Sequence, residues 1–131
     1  MEKYRFSGEE KLREKGALIL HLSGIIGPDR YPARWYENNW VKNQNNILNY
    51  VHVDDIVYFT DLLFKNFKKS ERFNLTSCDF KTHQQIADLL NVKVDFALKE
   101  GTKDSKKIMN SKLLNYLNLN DFKFIKYPED V

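Results

Sequence analysis

Apolar and polar positions run along this chain in short blocks whose period switches between that of a helix and that of a strand. Ser7-x-x-Glu10 has the form of a capping box and predicts a helix over residues 7 to 15, closed by Gly16. Ala17-Leu18-Ile19-Leu20-His21-Leu22 is a near-continuous apolar run, the pattern of a strand covered on both faces in a parallel sheet, and Gly24, Gly27 and Pro28 end it. An Asn-rich polar stretch follows from Asn38 to Asn49. A second strand over Asn49 to Val53 then feeds a helix from about Asp55 to Phe67, with Asp54 as its expected N-cap.

The second half repeats the alternation. Arg72 to Thr76 reads as a short strand, and Thr82-x-x-Gln85 opens a boxed helix with Ile86, Leu89 and Leu90 on one face. Val92 to Ala97 alternates with period two, and Lys93 and Asp95 face the same way. Gly101 to Lys107 reads as a loop. Asn110 or Ser111 caps a last helix through Leu113, Leu114 and Leu117, and Phe122 to Ile125 is a final extended piece ending at Pro128. Helices alternating with buried-looking strands predict an α/β fold. With no internal repeat and no Gly/Ser linker, residues 1–131 read as a single domain.

Composition narrows the classes. At 131 residues with 42% hydrophobic and 14% aromatic content, the chain has material for a core. Its 21 basic and 18 acidic residues give a mixed surface with net charge +3, a weak basis for a polyanionic partner, so nucleic acid is not expected. Cys78 is the single cysteine and cannot form an internal disulfide, and no long apolar run is present. The expected setting is the cytoplasm, with no membrane partner. Asn74-Leu75-Thr76 matches a glycosylation sequon but lies in a strand-like run, where a chance match is the better reading.

Two segments carry the candidate chemistry. Leu22-Ser23-Gly24-Ile25-Ile26-Gly27-Pro28-Asp29-Arg30 turns sharply at the end of a strand, where open α/β sheets place ligands. His52-Val53-Asp54-Asp55 runs from a strand into an acidic helix start, whose carboxylates are explained by capping and the helix dipole. Arg30 can hold a phosphate through its planar guanidinium, or pair with Asp29 or Glu37. Trp35, Tyr36 and Trp40 lie just beyond and can stack on a sugar or base, although packing is expected of at least one Trp. Cys78, Asp79 and His83 are the residue types of a thiol-nucleophile site without its demonstrated geometry. The three histidines have no metal-site spacing, and Lys65, Lys68, Lys69 and Arg72 suit a solvated helix end.

In their order and spacing these two segments resemble the C-terminal half of the NAD(P)-dependent epimerase/dehydratase family, the extended short-chain dehydrogenases, and especially the nucleoside-diphosphate-sugar epimerase-like members. The first looks like the family's Gly-Ile-Tyr-Gly-Pro-Gly-Arg segment, with Ile26 in place of its Tyr, Asp29 in place of a Gly, and His21 where relatives usually have a strand Arg. The second matches His-Val-Asp-Asp residue for residue. The resemblance implies a partial Rossmann-like fold: the C-terminal part of an extended short-chain dehydrogenase with its small substrate-binding lobe, the dinucleotide-binding half being absent. It implies NAD or NADP as cofactor, with Gly24, Ile25, Gly27 and Pro28 beside the nicotinamide, and Arg30 and Trp35 toward a nucleotide-sugar substrate. No Gly-x-x-Gly-x-x-Gly fingerprint and no Tyr-x-x-x-Lys pair occurs in the 131 residues. No catalytic residue and no metal ligand is therefore assigned. Alone, the chain is expected to bind the dinucleotide poorly and to be inactive, and to pair with the missing half or with itself. The alternative is a non-catalytic binding or protein-interaction module derived from the same fold.

Overall fold

The computed structural model describes residues 2–41, 43–95 and 105–131. Its elements are α1 (Glu2–Glu14), β1 (Ile19–Leu22), β2 (Gly24–Ile26), α2 (Pro32–Glu37), β3 (Tyr50–His52), α3 (Val53–Lys65), β4 (Arg72–Leu75), α4 (His83–Leu89) and α5 (Ser111–Leu117). This is the expected α/β arrangement with parallel strands, but the strands form two small sheets. β1 pairs with β4, from Ile19 opposite Arg72 to Leu22 opposite Leu75. β2 pairs with β3, from Gly24 opposite Tyr50 to Ile26 opposite His52.

One junction connects the two sheets. The Ser23 amide donates to the Leu75 carbonyl at 3.2 Å, the last bond between the first pair of strands. The next amide, Gly24, donates to Asn49 at 2.9 Å, and the Ser77 amide donates to the Tyr50 carbonyl at 2.8 Å. Successive carbonyls of a strand point to opposite edges. β3 therefore lies between β2 and the segment that continues β4. Its side chains also alternate between cores: Tyr50 joins Ile26, Tyr36, Leu48 and Ile86, whereas Val51 joins Phe59, Leu63, Phe73, Leu75 and Leu113.

Several expectations need correction. The first helix begins at Glu2, so Ser7 and Glu10 are interior to it. Glu10 reaches outward to Arg72 and Arg13 instead of capping. Gly16, at φ 86°, does close the turn, with the Ala17 amide bonded to Leu12. β1 is not fully buried: Leu20 packs against the second core while Ile19 and His21 on the opposite face are half-buried, and Leu22, on the Leu20 face, is 39% exposed. Leu89 is also exposed, and Ala87 is buried beside Ile86 in its place. Residues 92–95 form no strand, although Val92 and Val94 pack inward while Lys93 and Asp95 face solvent. Residues 96 and 97, and residues 101–104 of the expected loop, lie outside the described residues.

Other features match. Thr82 and Gln85 form the reciprocal capping box at 3.2 and 2.9 Å. Asn110 is the N-cap position of α5, but its side chain accepts no bond from the helix; its Nδ2 donates to the Thr76 carbonyl at 2.7 Å. Phe122 to Ile125 forms no strand. Phe122 and Phe124 pack against Phe59 at 4.8 and 5.3 Å between ring centres. α1 is held to β1 and β4 largely by ion pairs, with Glu9 on His21 at 2.9 Å and on Arg72 at 3.4 Å.

Gly27 is the tightest point between β2 and α3. A Cβ built there would stand 2.7 Å from Val53 Cγ1 and 3.3 Å from Val53 Cβ. Gly27→Ala is therefore expected to lower stability by about 1 to 3 kcal/mol through overpacking. In a Val53→Ala background the same change should cost much less. Denaturant melts of the four proteins measure this coupling, and additive losses would show that the contact is not the cause.

Candidate functional site

Both segments singled out in the sequence lie at the carboxyl ends of adjacent parallel strands, because β2 and β3 run side by side in register. β2 ends in a tight turn in which the Arg30 amide donates to the Gly27 carbonyl at 2.9 Å. Pro28 occupies the second position and Asp29 the third, with φ 65°, the pattern of a type II turn. Asp29 thus sits in the left-handed region that favours glycine, the residue the resembling segment carries at that place. The turn delivers Tyr31 and then Pro32, the first residue of α2.

β3 ends at His52, which is 4% exposed. Its Nδ1 accepts a hydrogen bond from the Asp54 amide at 3.2 Å, so the N-cap of α3 is His52 and not Asp54. With Nδ1 an acceptor, Nε2 carries the proton and donates to the Tyr31 hydroxyl at 3.1 Å. Asp54 is exposed and does not cap, a correction that follows from α3 starting two residues earlier than the apolar pattern suggested. Asp55 is 4% exposed, and its Oδ2 accepts from the Ile125 amide at 2.9 Å. Burial holds its carboxyl above the usual range, partly offset by the Ile125 N–H.

The residues beyond Ile125 are drawn over this edge. Tyr127 stacks on Tyr31 at 5.2 Å and 13°, and its amide donates to the Tyr50 hydroxyl at 2.8 Å. Tyr50 donates in turn to Asp79 at 2.5 Å. Lys81 pairs with Asp79, with Glu129 at 2.8 Å, and with the Tyr127 carbonyl at 3.3 Å. Burial opposes the Lys81 charge, yet the two carboxylates more than offset this and raise its pKa. Burial pushes the Tyr50 hydroxyl upward, and the Asp79 carboxylate adds to the shift. The result is a recess of about 460 Å³ between the turn and the 125–131 segment, lined among others by Pro28, Tyr31, His52, Asp54, Tyr127 and Asp130.

The carried-over site residues fall into two groups. Gly24 and Gly27 turn their bare faces to protein: a Cβ at Gly24 would meet the Asn49 carbonyl at 3.0 Å, and one at Gly27 would meet Val53. Internal close approach accounts for both. Ile25, Pro28 and Arg30 are exposed, and among the described residues Arg30 has no side-chain hydrogen bond or ion pair with either Asp29 or Glu37. Trp35 is partly buried against the first core, and Trp40 is 66% exposed.

The remaining candidates do not converge. Cys78 donates weakly to the Ile108 carbonyl, Asp79 is held by Tyr50 and Lys81, and His83 Nδ1 meets the Tyr36 hydroxyl at 3.1 Å. Burial raises the Cys78 thiol and lowers the His83 imidazole, the opposite of an activated pair. Among the described residues no group of three or more His, Cys, Asp or Glu could hold a metal, and no helix is long and apolar enough to cross a membrane. Sequence reasoning missed Tyr31, Tyr50 and Tyr127, which build the recess. Tyr31 follows the turn directly and was within reach, whereas nothing in the sequence ties it to a residue 96 positions away.

The architecture at this edge is mixed α/β with small parallel sheets. The chain is similar to the structure of dTDP-glucose 4,6-dehydratase from Bacillus anthracis in complex with NAD, with TM-score 0.59, 18% identity, and coverage of 86% of this chain and 40% of that one. It is also similar to a conserved protein of unknown function from Silicibacter pomeroyi, with TM-score 0.55, 18% identity, and coverage of 85% and 44%. In sequence it is 30% identical over 57 residues to protein YeeZ of Escherichia coli, strains K12 and O157:H7, which is 44% of this chain and 21% of YeeZ. No family model matches. The chain thus matches less than half the length of each of these proteins, and the structural likeness is one of fold.

Two stability tests follow from the caps. His52→Ala is expected to cost about 2 to 3 kcal/mol, since it removes the cap, a buried ring and the partner of Tyr31, whereas Asp54→Ala should cost at most about 1 kcal/mol of helix-dipole energy. Denaturant midpoints compare the two, and nitrogen NMR of the ring should find His52 as the Nε2–H tautomer. For Asp55, a raised folded pKa means that the neutral form favours the folded state. That contribution is full below the unfolded pKa and is lost as pH rises through the folded value. Asp55→Asn keeps an acceptor for Ile125 and should gain stability relative to the parent as pH rises from the usual carboxylate range. Asp55→Ala should cost about 1 to 3 kcal/mol throughout, because it strands the Ile125 N–H.

Proposed function

We propose that these residues form the substrate-side portion, the C-terminal half, of an NAD(P)-dependent, nucleoside-diphosphate-sugar epimerase/dehydratase-like protein of the extended short-chain dehydrogenase type. The observation that carries the reading is the pairing of β2 with β3, which brings the Gly27–Arg30 turn and the His52–Asp55 helix start to one sheet edge. The similarity in fold to the NAD-bound dehydratase supports it. In this reading Arg30 meets the diphosphate, its guanidinium being exposed and without a partner among the described residues, and Trp35 packs behind the turn that presents it.

Ile25 and Pro28 offer exposed apolar surface to a nicotinamide, while Gly24 and Gly27 hold the strand end in its close-packed position. NAD or NADP, when bound, supplies the hydride acceptor. The chain has neither a glycine-rich fingerprint nor a Tyr-x-x-x-Lys pair, so dinucleotide cradling and proton transfer would come from groups outside these 131 residues. The free edge of β1 and the apolar groove beside it, about 430 Å³ and lined by Leu18, Leu20, Leu63, Phe64 and Phe67, offer a seat for that other part. The same surface would serve a second copy if the chain is a non-catalytic interaction module.

Amide chemical-shift mapping with UDP-glucose and dTDP-glucose tests the reading. Shifts are expected to centre on residues 24–31, and Arg30→Ala should weaken binding by about 3- to 10-fold, the loss of one exposed charge-assisted contact. Turnover of nucleotide sugar by the isolated chain with NAD or NADP is expected to be nil. Shifts confined elsewhere, or none at millimolar ligand, would defeat the proposal.

A further inference from the structure

Resting on that reading, we infer that the recess behind the Gly27–Arg30 turn holds the sugar of the nucleotide sugar and selects a neutral or amino sugar over an acidic one. Pro28 and Tyr31 line the recess, and Arg30 stands between them in the same turn. Arg30 directly precedes Tyr31, so a diphosphate held there would bring its glycosyl group within reach of this hollow.

The chemistry of the lining sets the preference. Among the described residues no Lys or Arg lines the recess, while Asp54 and Asp130 contribute two carboxylates. Among the described residues Asp54 has no Lys or Arg within salt-bridge reach; its neighbour is the His52 ring at 3.6 Å, whose Nδ1 already accepts the Asp54 amide. The Asp130 carboxylate accepts from the Lys126 amide at 2.8 Å and has no ion pair among the described residues. Both are acceptors for hydroxyl or ammonium donors. Tyr31 supplies the complementary donor: His52 Nε2–H donates a hydrogen bond to its oxygen, so its own hydroxyl proton is free, and no protein acceptor takes it among the described residues. One donor and two anionic acceptors suit adjacent hydroxyls or an amino group and repel a carboxylate. The Tyr31 and Tyr127 rings are stacked on each other, so recognition is through hydrogen bonds and not ring stacking. At about 460 Å³ the hollow is within the size range of small-molecule sites.

UDP, UDP-glucose and UDP-glucuronate, titrated by amide chemical shift into the parent protein and into Asp54→Asn, test this. UDP-glucose is expected to shift Tyr31, Tyr127 and Asp130 where UDP does not. UDP-glucuronate should bind at least about 10-fold more weakly than UDP-glucose at low salt, and less so at high salt. Asp54→Asn, or Asp130→Asn should the first variant misfold, should narrow that gap by about 3-fold or more. Equal affinity of the two sugar nucleotides in the parent protein would overturn the sugar site while leaving the nucleotide-sugar reading intact. Failure of all three ligands to bind would overturn both.

Discussion

The architecture depends on β3 entering where β1 and β4 cease to pair. Up to Leu22 and Leu75 those two strands satisfy each other. Two residues later, Gly24 has turned to Asn49, and Ser77 has turned to Tyr50. A buried amide left without a partner at this point would cost about 1 to 3 kcal/mol, and the inserted strand supplies partners to both sides. Because β3 alternates its side chains, its insertion also joins the two cores: Tyr50 belongs to one and Val51 to the other. The candidate site is a consequence of this junction, since it brings the ends of β2 and β3 together.

The insertion explains what could and could not be read from the chain. Local signals were legible: Gly16 as a helix terminator, the Thr82–Gln85 box, the start of α5 after Asn110, and the apolar runs that became β1, β3 and β4. Long-range hydrogen bonds rearranged the rest. Asp54 has the side chain of an N-cap, but the helix starts two residues earlier than its position suggests, and the His52 ring takes the capping role. Glu10 has the spacing of a capping box, yet Arg72, from a strand 62 residues away, claims its carboxylate. The run from Ala17 to Leu22 reads as doubly covered because apolarity alone does not tell burial by the chain itself from surface left to a partner. At the site, the strand-end turn and the His-Val-Asp-Asp segment were recognisable, but the three tyrosines that shape the recess were not.

Those tyrosines show how a segment without regular structure is held in place. The stretch after Ile125 belongs to no helix or strand, so its backbone groups must find partners one at a time. Asp55 takes the Ile125 amide, Tyr50 takes the Tyr127 amide, and Lys81 takes the Tyr127 carbonyl. Each partner is anchored in regular structure or directly beside it, and all three are ionisable groups whose pKa values burial shifts or opposes. The arrangement trades desolvation for position. A carboxylate kept partly out of water is a weak contributor to stability, but it fixes the 125–131 segment against the start of α3.

The same economy bears on chemistry. Glycine at position 27 is required by Val53, and the positive φ at Asp29 is required by the turn, so neither needs a ligand to explain it. What packing and capping do not explain, among the described residues, is the set of groups left over: an Arg30 guanidinium without a partner, a Tyr31 hydroxyl proton without an acceptor, and Asp54 and Asp130 carboxylates without a Lys or Arg. They have opposite signs and lie on either side of a single turn. A ligand that satisfies them must itself be divided, anionic at one end and rich in neutral or cationic hydrogen-bond donors at the other. A nucleoside diphosphate joined to a neutral sugar has that polarity.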